Sequence, residues 1–152
     1  MHPDEITFAE LLKPAGYRTF AVGKWHLGFN VEGAHPMDQG FDSYYGCPHN
    51  YGDQSQATGQ ALVRDREIEK EVSFQELTQS YNREVVNFIE RQSKEQPFFI
   101  YMVHQIAHSL ILPSQDFKGS TNKGIYADFV SERGFSPRHD SCCGSAGVHP
   151  RP

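Results

Sequence analysis

Six apolar residues in a row, Phe98-Phe-Ile-Tyr-Met-Val103, follow directly on Pro97. A strand with one wet face alternates apolar and polar side chains, because successive Cβ atoms point to opposite sides. An unbroken run asks for apolar cover on both sides, as in a parallel sheet with helices on its two faces. The segment before it supplies a helix. Ser73-Phe-Gln-Glu76 is a capping box, a hydroxyl and a carboxylate spaced to satisfy the free N–H groups of a helix start. Phe74, Leu77, Tyr81, Val85, Phe88 and Ile89 then recur at helical spacing. The pattern predicts a helix ending near Gln92 and a strand over 98–103, buried on both sides.

The same order occurs earlier in the chain. Thr7-Phe-Ala-Glu10 is another capping box, Phe8, Leu11 and Leu12 offer an apolar face, and Pro14 and Gly16 stop the helix. Residues 17–22 are rich in strand formers and run into Gly23. Two helix–strand pairs predict an α/β fold, a mostly parallel sheet flanked by helices, with ligands at the carboxyl ends of the strands. Between the pairs, residues 30–53 read as a loop carrying Gly33, Pro36, Gly40, Gly46 and Pro48 among aromatics. Residues 61–69, around Arg64-Asp65-Arg66, read as a hairpin. After Val130 periodicity ends, and residues 133–152 hold Gly, Ser, Pro, Arg and two adjacent cysteines. The expected organisation is one domain over 1–130 and an irregular or disordered tail over 131–152.

Charge narrows the classes of function. Lys and Arg number 14 against 19 Asp and Glu, a net charge of -5, and they are scattered, so no nucleic-acid footprint is expected. No apolar run approaches a membrane span. Residues 1–5 lack the basic and apolar regions of a signal peptide. Cys47, Cys142 and Cys143 make an odd count, and the adjacent pair suits neither a spaced disulfide framework nor a zinc motif.

The candidate chemistry sits just past the two predicted strands. In Gly23-Lys-Trp-His-Leu-Gly28, Lys24 and His26 are two residues apart, so an extended segment would point both to one side. Lysine offers a compact positive charge to an oxyanion. Histidine can donate a hydrogen bond or move a proton near neutral pH. The same six residues also fit an ordinary solvated loop. His104 and His108 follow the second strand; His108 could protonate a leaving oxygen, or either ring could simply pack. Their i, i+4 spacing suggests a metal pair, but no carboxylate lies between them and the segment is not helical in pattern. Asn50, near His49 and Asp53, could hydrogen-bond an anion or serve only as a turn residue. No Ser/His/Asp order, phosphate-cradling loop or carboxylate pair stands out.

Two stretches together resemble the sulfatase family. ITFAELLKPAGYRTFAVGKWHLG (residues 6–28) contains a close match to a family signature, a glycine-aromatic segment leading to Gly-Lys-x-His, and continues into His35-Pro36, Gln39-Gly-Phe-Asp42 and Tyr45-Gly46. PFFIYMVHQIAHSLILPSQDFKGSTNKGIYAD (residues 97–128) is similar to the family's strand, its Ala-His segment and a Phe-x-Gly-x-Ser…Gly-x-Tyr-x-Asp stretch. The flavour is that of arylsulfatases and N-acetylgalactosamine-6-sulfatases. The resemblance implies a partial alkaline-phosphatase-like fold over 1–130 and a parent enzyme that hydrolyses sulfate esters of a sugar or aryl alcohol. It also implies a formylglycine nucleophile and a calcium ion. Carried over, Lys24 would contact the sulfate, His26 the formylglycine hydrate, and His108 the leaving oxygen, with Asn50 near a polar family position. Such enzymes are secretory, lysosomal or periplasmic.

The chain departs from the family pattern in ways that matter. No Cys/Ser-x-Pro-x-Arg occurs, the Asp-Asp pair and the Asp-Asn-Gly segment for calcium are missing, and from Arg133 the sequence leaves the expected acidic helix. No metal ligand can therefore be named. The expectation is a sulfatase fragment that is inactive alone. A non-catalytic anion-binding module and a non-functional truncated product stay open, as does a metal-dependent phosphoesterase of the same superfamily.

Overall fold

The computed structural model describes residues 1–49, 60–105 and 111–133. The elements are α1 (Phe8–Leu12), a 3₁₀ turn (Lys13–Ala15), β1 (Arg18–Gly23), β2 (Ser43–Gly46), β3 (Gln60–Arg64), β4 (Glu67–Val72), α2 (Phe74–Glu90), β5 (Phe98–Val103) and α3 (Ile125–Arg133). They build a five-stranded sheet in the order β4-β3-β2-β1-β5. β1 pairs in parallel with β2 and β5, while β3 and β4 are antiparallel additions. The sheet is thus a parallel core of three strands extended by a hairpin.

Both capping boxes sit where the sequence places them. Glu10 N donates to Thr7 Oγ1 (3.2 Å), and Glu10 Oε2 accepts from Thr7 N (2.8 Å). Glu76 reaches back in the same way to Ser73 N (3.1 Å). Pro14 does not end α1 outright: the chain tightens into the 3₁₀ turn, which Pro tolerates near its start, and Gly16 closes it at φ 87°. The hairpin turns at Asp65-Arg66 and is longer than the sequence pattern suggests.

β1 is the middle of the three parallel strands and is buried on both faces. Phe20 and Val22 join Tyr45, Cys47, Leu62, Val72, Leu77, Tyr81 and Phe129 on the side covered by α2, with Ile100 and Met102 packed against them. On the other side Ala21 meets Ala9, Trp25, Phe41, Tyr44 and Val63, with Phe99 at the margin. Among the described residues, that second face is covered by the short α1, by the residues before it and by residues between β1 and β2.

Four sequence expectations change here. β5 lies at the sheet edge, half-buried rather than covered on both sides, because among the described residues nothing pairs with it beyond β1. The expected apolar face of α1 is mostly out in solvent: Phe8 is 75% exposed and Leu11 61%, and the residue α1 buries is Ala9. Residues 30–53 are not all loop, since β2 runs inside them. Helix α3 was not expected. Its start is organised by Asp128, which accepts from Gly119 N (2.8 Å), Thr121 N (2.8 Å) and Thr121 Oγ1 (2.7 Å). α3 runs through Arg133, past the expected end of the domain at 130. The rest of the expected tail lies outside the described residues.

Candidate functional site

Because β1, β2 and β5 are parallel, their carboxyl ends meet at one edge of the sheet. Backbone packs against backbone there. A Cβ on Gly23, at φ 105°, would sit 1.9 Å from Val103 O, and one on Gly46 would sit 1.8 Å from Gly23 O. Tyr44 Oη donates to Gly23 O at 3.0 Å and ties the same point to β2. Only glycine permits this approach.

From that junction the chain carries Lys24, Trp25 and His26 across the ends of both neighbours. Lys24 N donates to Val103 O (2.9 Å), Trp25 N to Cys47 O (3.1 Å) and His26 N to Pro48 O (3.0 Å). The indole between the two candidate residues is an anchor. It is buried, its Nε1 donates to Ala34 O (2.9 Å), and it meets Phe41 edge-on. Lys24 is half-buried and His26 exposed on either side of it. The segment is not extended at this point, contrary to what the sequence spacing supposes. β1 stops at Gly23 and His26 has φ 47°, a left-handed backbone, so the alternation of a strand does not set the directions of Lys24 and His26. Their placement follows from the three backbone bonds instead.

Beneath this loop lies a polar group that the sequence did not flag. Cys47, directly after β2, is fully buried. Burial pushes its thiol up to about 11, against the opposing pull of the Tyr81 and Gln105 side chains. Gln105 Nε2 in turn donates to His49 O (3.3 Å), joining the segment after β5 to the segment after β2. His104 Nδ1 is enclosed with no hydrogen-bond partner among the described residues. Burial, then the Arg133 charge, holds its pKa below the usual histidine value, so the ring is neutral at pH 7. In the sequence Cys47 is marked only by the cysteine count and Tyr81 only by helical spacing, and nothing in spacing marks Gln105. Of the sequence candidates, the structure brings Lys24 and His26 onto one anchored loop. Asn50 and His108 lie outside the described residues. Among the described residues, no group of three or more His, Cys, Asp or Glu side chains could hold a metal ion.

Comparison with known proteins decides the family. The Sulfatase family model matches residues 2–130. The chain belongs to the sulfatase family. It is 36% identical to the human N-acetylgalactosamine-6-sulfatase over 144 residues, covering 86% of this chain but 27% of that protein. The crystal structure of Ps i-CgsB in complex with k-i-k-neocarrahexaose superposes with a TM-score of 0.70 at 26% identity, over 87% of this chain and 34% of that one. A structure solved with its substrate D-glucosamine-2-N,6-O-disulfate gives a TM-score of 0.54 at 28% identity, over 78% and 22%. The fold is therefore that of the alkaline-phosphatase-like sulfatases, and this sulfatase chain spans about a quarter to a third of the proteins it matches.

Proposed function

We propose that this chain forms the sulfate-recognition edge of a sulfatase acting on a sulfate ester of a sugar or aryl alcohol, and that alone it binds without turnover. The observation that carries the reading is the Lys24–His26 loop, fixed across the carboxyl ends of β2 and β5 by three backbone bonds. An ammonium group held by such a scaffold suits one sulfate oxygen, and a histidine two residues on suits a second contact or a proton transfer. His108 is assigned to the leaving oxygen and Asn50 to the substrate side, on the family resemblance. The sugar substrate is favoured by the names of the relatives, one a galactosamine sulfatase and two solved with sulfated or carrageenan-type saccharides. A secretory, lysosomal or periplasmic location belongs to the same reading.

The formylglycine and calcium of the family do not fit the residues in hand. Cys47 is buried with a thiol held neutral, and the following Pro48 lacks the arginine of the modification motif. The described carboxylates do not cluster as cation ligands. No step is derived through either group.

The single tryptophan, Trp25, reports on the loop by fluorescence. Titration with inorganic sulfate and with an aryl sulfate should give saturable changes with the aryl ester left intact. Lys24→Gln should weaken both by roughly tenfold or more, the loss of one charge-assisted contact. Unchanged binding by Lys24→Gln would remove the basis of the reading, and Lys24-dependent hydrolysis would overturn its claim that the chain alone does not turn over.

A further inference from the structure

A cleft of about 230 Å³ lies at the opposite edge of the sheet, lined by Arg18, Phe20, Ser43, Arg64, Asp65, Glu84, Phe88, Arg91 and Gln92. Arg18 opens β1 and Lys24 follows its end, so roughly 20 Å of strand at about 3.3 Å per residue separates this cleft from the candidate site. Three guanidinium groups and two carboxylates line it. The carboxylates are already engaged. Glu84 pairs with Arg64 (3.1 Å), which Glu69 also holds and which lies over the Tyr45 ring. Asp65 Oδ1 accepts from Tyr44 N (2.9 Å) in closing the β2–β3 pairing. Arg18 and Arg91 have no carboxylate partner among the described residues. In a chain of net charge -5, two guanidinium groups without a carboxylate partner among the described residues line one small cleft, against the single charge of Asp65 that no cation pairs.

The rest of the cleft is not suited to a bare ion. Phe88, partly exposed, stacks on buried Phe20 with ring centroids 4.8 Å apart and gives it an aromatic wall. Ser43 adds a hydroxyl. A guanidinium fork matches the planar pair of oxygens of an oxyanion, and an aromatic wall suits the C–H face of a sugar ring. We infer that this cleft is a second anion site, binding a sulfated hexose unit through Arg18 and Arg91 with its ring against Phe88. The choice of a sulfated sugar rests on the sulfatase reading; the cleft and its unpaired arginines do not.

The test is a titration of the full chain with galactose 6-sulfate, followed by NMR on the arginine Nε–Hε signals. Arg18 and Arg91 signals should shift saturably. The double variant R18Q/R91Q should lose roughly tenfold or more in affinity for this site, as for two charge-assisted contacts. K24Q should leave it unchanged, which separates failure of this site from failure of the Lys24 reading. Both arginines are exposed, so the variants should keep the wild-type circular dichroism. Retained affinity in R18Q/R91Q would overturn the proposal. So would equal affinity for inorganic sulfate, since the ring contact would then contribute nothing, or equal affinity for unsulfated galactose, since the arginines would then be idle.

Discussion

Gly23 and Gly16 share a positive φ, 105° and 87°, yet differ in surroundings. A methyl at Gly16 meets nothing within 4 Å, so Gly16→Ala should cost only the left-handed backbone strain, about 1–2 kcal/mol. A methyl at Gly23 meets Val103 O at 1.9 Å, and backbone cannot swing aside as a side chain can. Gly23→Ala should therefore cost about 3 kcal/mol or more, a large share of a typical 5–15 kcal/mol stability. Urea unfolding compares the two, and equal losses would show that the sheet edge relaxes. The histidines set a second residue-scale expectation. His35 and His104 both have pKa values below the usual 6.5, in each case mainly through burial, then through Arg66 and Arg133. The unfolded chain therefore binds their protons at a higher pH than the folded one. Stability is fully present above about pH 6.5 and falls as pH drops through the lowered values. Melting temperature should hold steady above about pH 7 and decline below 6.5, well before the carboxylates titrate near pH 4. His104→Leu removes a ring whose Nδ1 has no partner among the described residues, and should flatten that decline. An unchanged acid slope in His104→Leu would assign the effect elsewhere.

At five residues α1 is too short to hold itself helical. It depends on its cap, on the burial of Ala9 and on tethers to the segment between β1 and β2, Thr7 Oγ1 donating to Gln39 O at 2.7 Å and Lys13, its C-cap, pairing with Asp42 at 2.8 Å. Thr7→Ala should cost about 1–2 kcal/mol by denaturant unfolding, toward the upper end for a cap because the Gln39 tether goes with it. Thr7→Ser should restore most of the loss. Such caps were legible in the sequence because they are local: hydroxyl and carboxylate three residues apart carry the whole signal. The same holds for β1, α2 and the β3–β4 hairpin, and for the position of Lys24 and His26 just past β1. What was not legible depends on the neighbours each element finds. Ser43–Gly46 becomes a strand because Gly23 and Tyr44 lock it against β1, with four residues and a terminal glycine too few to show alternation. The apolar run of β5 reads as a strand, but no pattern says on which side a partner lies. Cys47, Tyr81 and Gln105 come from three separate parts of the chain, after β2, within α2 and after β5, and the fold brings them together.

The whole molecule carries an imbalance that follows from this topology. α2 covers one face of the sheet, while the other presents a groove of about 400 Å³ lined by Ile6, Phe8, Leu11, Trp25, Phe99 and Tyr101. It adjoins the edge of β5 that no described strand pairs with, where Tyr101 is 41% exposed and no charged residue interrupts the strand. Edge strands are ordinarily protected by charge, proline or a bulge, and β5 has none of these along its six residues. An apolar groove continuous with an open strand edge is a template for association. The isolated chain should therefore self-associate, with a sedimentation coefficient that rises with concentration. Tyr101→Lys places a charge in the strand at the open edge and should lower that concentration dependence; Phe8→Lys should lower it further by interrupting the groove. Neither residue touches the Lys24 loop's backbone bonds, so sulfate-induced change in Trp25 fluorescence should survive in Phe8→Lys. Concentration-independent sedimentation of the wild-type chain would show that β5 and the groove are satisfied within one molecule. Loss of association in Tyr101→Lys together with intact sulfate binding would instead show that the recognition edge folds independently of whatever covers the apolar face.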